Sequence, residues 1–344
     1  MDAPLRLRLD GDALVANYHV LARMSGAAAC GAAVKANGYG LGATAVVERL
    51  AAAGCRDFFV ASWAEAAVLA PLGVAVSVLH GVRDTDMALA LNLPMVRPVL
   101  NSATQVARWR ASGGGRCDVM VDTGMNRLGV SVAEVRAGLL DGVAVDTVMS
   151  HLACADEDSV VNVRQRAALI AVAPRVAATR LSLANSAGIA LGADYAFDLT
   201  RPGLALYGGV PRGELAGRVA QVATPEAQIL QRRVLRAGDS IGYNATFTAP
   251  GDMEVAILNI GYADGYWRGF TGRGAALAGG RRLPVLGRVS MDLTAIDVTR
   301  APDLAEGDWL ALDFDLTQAA AQSGLSPYEL LVALGDRFDR YWVG

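Results

Sequence analysis

Over roughly the first 200 residues, short apolar runs alternate with helix-like segments, and no other feature narrows the fold as far. Leu5 to Leu9 alternates Leu and Arg like a strand, and Asp10 is placed to cap a helix from Gly11 to about Met24. Ala27 to Val34 is a second apolar run, ending at Lys35. A helix-like stretch, Ala43 to Ala53, precedes the strand-like Asp57 to Ala61, and another follows from Trp63 to Leu72. Further strand candidates are Val76 to Leu79, Met95 to Val99, Cys117 to Val121, Val145 to Ser150 and Arg180 to Leu183. Ser131 and Glu134 form a capping box at the start of one intervening helix. Such alternation predicts a parallel sheet with crossover helices, and eight units close a (β/α)8 barrel with its site at the C-terminal strand ends. A doubly wound open sheet is the alternative, but no GxGxxG fingerprint opens the first unit.

The pattern changes after about residue 222. Glu254 to Ile260, Pro284 to Val298 and Trp309 to Phe314 alternate like strands between Gly and Pro breaks. One helix stands out, opened by Ser326-Pro327-Tyr328-Glu329, a capping box with proline at the first position. The chain is therefore divided into a barrel over residues 1–222 and a mostly β domain over residues 223–344, with the first strand at about 5–9 a candidate to join the latter.

Composition excludes several functions. At 344 residues, 53% hydrophobic and 19% charged, the chain fills a sizeable core and is not disordered. Its formal net charge of −3 leaves no basic footprint for nucleic acid. No apolar run reaches the ~18 residues that span a bilayer, and Met1-Asp2-Ala3-Pro4-Leu5-Arg6 lacks the order of a secretory signal, so a cytoplasmic location and no membrane are expected. Cys30, Cys55, Cys117 and Cys154 show no metal or redox spacing; with only His19, His80 and His151 besides, no metal site is expected.

Polar residues stand where packing does not ask for them. In Val34-Lys35-Ala36-Asn37-Gly38-Tyr39-Gly40, a lysine ends an apolar run ahead of a glycine-rich turn. Partly desolvated, such an amine has a lowered pKa and serves as a nucleophile, chiefly for a Schiff base with a carbonyl cofactor such as pyridoxal phosphate. Read alone, the commoner role is a strand-end lysine reaching solvent. Arg127, in Asp122-Thr123-Gly124-Met125-Asn126-Arg127, can hold an anion or a phenolate oxygen, or simply be solvated. His151 follows a strand candidate and can stack on a planar cofactor or be a satisfied interior group. Asn185-Ser186-Ala187-Gly188 and Arg201-Pro202-Gly203-Leu204 offer a hydroxyl, backbone amides and a fixed charge, a set suited to phosphate. Tyr262 sits between glycines in Gly261-Tyr262-Ala263-Asp264-Gly265, as either a proton carrier or a packing tyrosine. Arg288-Val289-Ser290-Met291-Asp292 is a further polar insertion.

Together these segments resemble the alanine racemase family, from Leu9-Asp10 through Arg288 to Asp292. That resemblance implies a pyridoxal 5'-phosphate enzyme with a (β/α)8 TIM-like barrel and a C-terminal β domain, interconverting L- and D-alanine and supplying D-alanine for peptidoglycan. It implies that Lys35 carries the cofactor and that Tyr39, Asn185, Ser186, Gly203 and Leu204 belong to the cofactor site. Arg201 would face the pyridine nitrogen, with His151 beside the ring. Arg127 would lie near the phenolic oxygen and the substrate carboxylate, which the Met291 amide would also hold. Lys35 and Tyr262 would be the two bases, Tyr262 arriving from the partner subunit of a homodimer, and Asp156 and Arg288 would form an entryway pair. The same resemblance leaves open a serine or broad-specificity racemase, and a non-catalytic pyridoxal-phosphate-binding protein.

Two positions depart from the family. Met120 stands where many relatives carry a lysine, modified to a carbamate, that orients the arginine. The tail Gly335-Asp336-Arg337-Phe338-Asp339-Arg340-Tyr341 also differs from the usual ending, and no tyrosine in it is assigned to the phosphate.

Overall fold

A computed structural model describes residues 4–344, which form two compact units: residues 14–220, and residues 4–13 together with 221–344.

In the first unit, seven strands pair in parallel in chain order: Ala32–Ala33, Asp57–Val60, Ala75–Val78, Val96–Leu100, Cys117–Asp122, Val145–Met149 and Arg180–Ser182. An eighth, Leu199–Thr200, pairs in parallel with Ala29–Cys30, which runs on through Gly31 into Ala32–Ala33. On its other side, Asp198 N–H donates to Leu181 O (3.1 Å) and Arg201 N–H to Ala184 O (2.8 Å), closing the ring. The strands are apolar because both faces are covered: Val60, Val78, Val99, Val119, Val121 and Val148 have no exposed surface. Gly31 interrupts the first strand, since a Cβ there would stand 2.8 Å from Asp57 O.

The barrel's N-terminal end is closed by charge. Arg97 contacts Asp146 (2.6 Å), Asp57 (3.8 Å) and Asp118 (3.9 Å), while Arg180 bridges Asp57 and Asp146. Asp118, 1% exposed, accepts from Ser77 Oγ (2.6 Å) and Thr147 N–H (3.0 Å). Burial raises its carboxyl pKa and Arg97 opposes the rise. The opposite end, where the strands stop, is left for chemistry.

The helix at Gly11–Met24 begins as expected, with Asp10 Oδ1 accepting from Ala13 N–H (2.8 Å). The Ser131/Glu134 and Ser326/Glu329 capping boxes both form.

In the second unit, Leu5–Asp10 lies between Ala223–Leu235 (antiparallel) and Asp339–Val343 (parallel), with Leu5, Leu7 and Leu9 facing the core. The sheet continues through Trp309–Leu312, Ala275–Ala278, Arg281–Leu286, Thr294–Asp297 and Met253–Leu258, which returns to pair with Ala223–Leu235. Three expectations are corrected. Pro284 to Val298 is not one strand: a loop separates Arg281–Leu286 from Thr294–Asp297. A second helix, Leu316–Ser323, is capped by Asp315 accepting from Gln318 N–H. The long strand Ala223–Leu235 was not anticipated, because its inward positions include the small or unusual Ala223, Pro225 and Ala227. Among the described residues, no helix is long and apolar enough to cross a membrane.

Candidate active site

Lys35 does not end a strand. The first strand stops at Ala33, and Lys35 opens a turn in which Ala36, Asn37, Gly38 and Tyr39 all adopt left-handed φ values of 53, 53, 64 and 55°. Three of these are not glycine, and each such residue costs roughly 1–2 kcal/mol, so the turn must be held from outside. Glu65 holds one end: its Oε1 accepts from Ala36 N–H (2.7 Å) and its Oε2 from Ala61 (2.7 Å) and Ser62 (3.2 Å) N–H. Asn37 Oδ1 accepts from Ala43 N–H (2.9 Å). Tyr39 stacks on Tyr207 at 4.7 Å between centroids, and Tyr207 donates to Ala33 O (3.0 Å). Backbone strain maintained this way is characteristic of functional sites. Burial lowers the Lys35 pKa, the Arg127 charge lowers it further, and Glu65 opposes both.

A cradle lies beside Tyr39. Ser186 Oγ accepts from Gly203 N–H (3.0 Å) and Ala205 N–H (3.1 Å), which leaves its hydroxyl hydrogen free to donate to an anion. A Cβ on Gly203 would stand 2.2 Å from Tyr39 Oη, so only glycine permits this approach. Leu204 opens the short 3-10 turn Leu204–Tyr207, so its N–H has no partner within that turn. Asn185 caps the helix Ser186–Ala190, its Oδ1 accepting from Gly188 N–H (2.8 Å).

Arg201 is 6% exposed and, among the described residues, has no carboxylate within ion-pair distance. It donates to Ser182 Oγ and to Ser150 O (2.6 Å) instead. Burial brings its pKa down to about 10, which still leaves it cationic at neutral pH. His151 is pushed down to about 3 by burial and by the Arg201, Arg127 and Lys35 charges, so its ring is neutral. Gln165, 1% exposed, donates to His151 O (2.9 Å) and accepts from Ala153 N–H (2.8 Å), fixing that loop.

Arg127 is exposed, and among the described residues nothing accepts a hydrogen bond from its guanidinium. Its loop is shaped by Asp122 Oδ1, which accepts from Gly124, Met125 and Asn126 N–H. Met120, 7% exposed in the preceding strand, offers it no carboxylate. Asp156 is exposed and, among the described residues, in no ion pair. Lys35, Tyr39, Ser186, Arg201 and Gly203 thus share one unit, which brings together a half-buried amine, a neutral imidazole, a buried cation without a carboxylate and an anion cradle.

In the other unit, Tyr262 opens a short turn braced on the Ser290–Met291 loop. Tyr262 N–H donates to Ser290 O (3.0 Å) and Ala263 N–H to Met291 O (3.0 Å). Arg268 lies 5.0 Å from the Tyr262 ring centroid. Met291 and Arg288 are exposed. Tyr341 is committed elsewhere, donating to Glu226 Oε2 (2.9 Å). Sequence reasoning missed Glu65, Gln165 and Arg337, all polar side chains distant in sequence from the groups they hold. The one available signal was the Ser62/Glu65 capping-box spacing, which marks a helix start and not a brace.

The family model described as alanine racemase, N-terminal domain, matches residues 9–211, and the one described as alanine racemase, C-terminal domain, matches residues 222–342. The chain is 40% identical to the alanine racemase of Acidiphilium cryptum, covering 97% of each, and 42% identical to that of Rhodospirillum rubrum, covering 98% of this chain and 96% of the relative. A relative from Agrobacterium fabrum, 39% identical over 98% of this chain and 92% of its own length, is named a catabolic alanine racemase. The crystal structure of alanine racemase from Bartonella henselae with covalently bound pyridoxal phosphate superposes with a TM-score of 0.91 at 33% identity, covering all of both chains.

Proposed function

This chain belongs to the alanine racemase family, and from that premise we propose that it interconverts L- and D-alanine with Lys35 and Tyr262 as opposed bases. Pyridoxal phosphate, when bound, supplies the electron sink that acidifies the substrate Cα–H. The residues present fit that group: a half-buried amine, the Ser186–Gly203 cradle, and Arg201 without a carboxylate.

Lys35 holds the cofactor and carries a proton on one face of the substrate, its desolvation favouring the neutral, basic amine. Tyr39, the Ser186 hydroxyl and the Leu204 amide hold the phosphate, with the Gly203 N–H orienting Ser186, and Asn185 caps the helix at Ser186. Arg201, a fixed donor that keeps its own proton, would hold the pyridine nitrogen and would moderate the electron sink, limiting side reactions. Neutral His151 would lie beside the cofactor ring without adding charge. Arg127 and the Met291 amide take the substrate carboxylate. Tyr262 of a second copy works on the opposite face, so the active unit is a homodimer, with Asp156 and Arg288 at its entryway. The barrel and β domain divide near residue 222, and the protein acts in the cytoplasm to supply D-alanine for peptidoglycan.

The observation that carries this reading is the half-buried amine of Lys35, held on a strained turn beside an anion cradle. Borohydride reduction of the purified protein should fix the cofactor on Lys35, and a label elsewhere would sink the assignment. Exchange of the α-proton in deuterated water should be fast for L- and D-alanine and slow for L-serine; comparable serine exchange would make it a broader racemase. Loss of the gene should create a requirement for D-alanine, and growth without it would point to catabolism.

A further inference from the structure

The C-terminal tail has no part in the proposed chemistry, yet it reaches the turn that carries Tyr262. Asp264, two residues beyond Tyr262, is 1% exposed. Its Oδ2 accepts from Gly261 N–H (3.0 Å), and its Oδ1 accepts from Arg337 Nε (2.7 Å). The same guanidinium donates through Nη1 to Asp292 Oδ1 (2.7 Å), next to Met291. Gly335 N–H adds a bond from the tail to Asp264 O (3.3 Å). One arginine therefore ties a carboxylate of the Tyr262 turn to a carboxylate of the Met291 loop.

The two loops are in backbone contact, with no slack between them. A Cβ on Gly261 would fall 2.3 Å from Met291 O and 2.4 Å from Ser290 O. On the other side, a Cβ on Gly265 would fall 2.5 Å from Ala333 O, in the segment that leads to Arg337. Movement of any one strand of this contact displaces the others. Asp264 is deeply buried, so without Arg337 its charge would be left with a single donor, the Gly261 backbone N–H. A broken buried pair of this kind drives local rearrangement, because an uncompensated carboxylate seeks water.

We propose that Arg337 is a positioning residue that sets Tyr262 and the Met291 amide in register, so that proton transfer and carboxylate binding depend together on a side chain that touches neither reactant. The inference rests on the two-base reading above. It predicts coupled defects: a misplaced phenol slows proton transfer, and a displaced Met291 amide weakens substrate binding. Displacements of about 1 Å at such a site cost up to roughly a hundredfold.

The test compares Arg337→Ala, Arg337→Lys, Asp292→Asn and Tyr262→Phe as holoenzymes with both alanine enantiomers. Arg337→Ala should keep the cofactor absorbance while kcat falls roughly ten- to hundredfold and KM rises. The α-deuterium isotope effect should rise for the enantiomer that Tyr262 deprotonates and fall for the one that Lys35 deprotonates, because return of the proton by Tyr262 then limits that direction. Arg337→Lys should restore part of the rate, because one ammonium can still reach Asp264. Asp292→Asn, which leaves the buried Asp264 pair intact, should raise KM more than it lowers kcat. Impaired Tyr262→Phe beside an Arg337→Ala enzyme with unchanged kcat, KM and isotope effects overturns the proposal alone. Normal Tyr262→Phe overturns the two-base reading and this inference with it. If Arg337→Ala fails to fold, Asp292→Asn decides, and an unchanged KM there refutes the coupling.

Discussion

Glu65 is the best point at which to test why Lys35 lies where it does. Replacing it with alanine removes the acceptor for Ala36, Ala61 and Ser62 N–H at once. Losing the reciprocal cap costs about 1 kcal/mol, and losing a charge-assisted bond to Ala36 about 1.5 kcal/mol. Against this stands the strain of Ala36, Asn37 and Tyr39, roughly 3–6 kcal/mol at 1–2 per residue. The strain exceeds any single bond that holds the turn. Glu65→Ala should therefore lower stability by about 2–3 kcal/mol while letting the first residue of the turn relax toward ordinary φ. The Lys35 amine also loses the one nearby charge that holds its pKa up, so its titration should move further down. Glu65→Gln keeps a carbonyl acceptor, so it should cost about half as much stability and shift Lys35 the same way. Ala36→Gly admits φ 53° without a Cβ penalty and should be neutral or stabilising by up to about 1 kcal/mol. Urea midpoints and the pH dependence of Lys35 acylation in cofactor-free protein measure both effects. A Glu65→Ala protein within about 0.5 kcal/mol of the parent, with Lys35 titrating unchanged, would refute the argument.

Gly203→Ala should abolish cofactor retention without unfolding the barrel, because its Cβ would stand 2.2 Å from Tyr39 Oη; equilibrium dialysis and cofactor absorbance check this. Arg97→Leu should destabilise by about 3 kcal/mol, the lower end for a broken buried pair, since Arg180 and Arg116 remain on Asp146. The Asp118 carboxyl is already raised by burial, so the folded state then holds a proton that the unfolded state releases, and the Arg97→Leu loss should grow from pH 5 to pH 8. Thermal melts at the two pH values test this, with turnover at low temperature preserved. His151 is neutral in the folded protein down to about pH 3, while the unfolded chain protonates it near 6.5. Its contribution is thus complete above pH 6.5 and is lost as pH falls toward 3, and His151→Asn should flatten that part of the melting profile.

How much of this was legible in sequence depended on whether the cause was local. The strands Asp57–Val60 and Val145–Met149 are continuous buried runs between turn signals, and three caps read from spacing alone formed. The strand Ala223–Leu235 escaped because Pro225 and its small neighbours carry no hydrophobic alternation, although three strands pair with it. The left-handed turn after Lys35 escaped for a different reason. Ala36 and Tyr39 have no intrinsic preference for that conformation, and Glu65, which helps to impose it, lies about one barrel unit further along the chain.

The same distinction separates the firm part of the site from the adaptable part. The groups proposed to bind or orient the cofactor are each held by at least one contact: Lys35 by its turn, Ser186 by two amides, Arg201 by Ser182 and Ser150. Arg127, the side chain proposed for the substrate carboxylate, is exposed, and the buried Met120 beneath its loop offers no charge to aim it. Its loop backbone is nevertheless fixed by three amides on Asp122, so the freedom lies in the side chain. A long cation without an acceptor loses more rotamer entropy on binding than one already held. The substrate carboxylate must then itself order Arg127, and that cost falls on KM. Substitution of Arg127 by lysine, a shorter point charge without the planar fork, should raise KM while leaving cofactor absorbance unchanged. Equal loss of both would place Arg127 with the cofactor and remove the distinction.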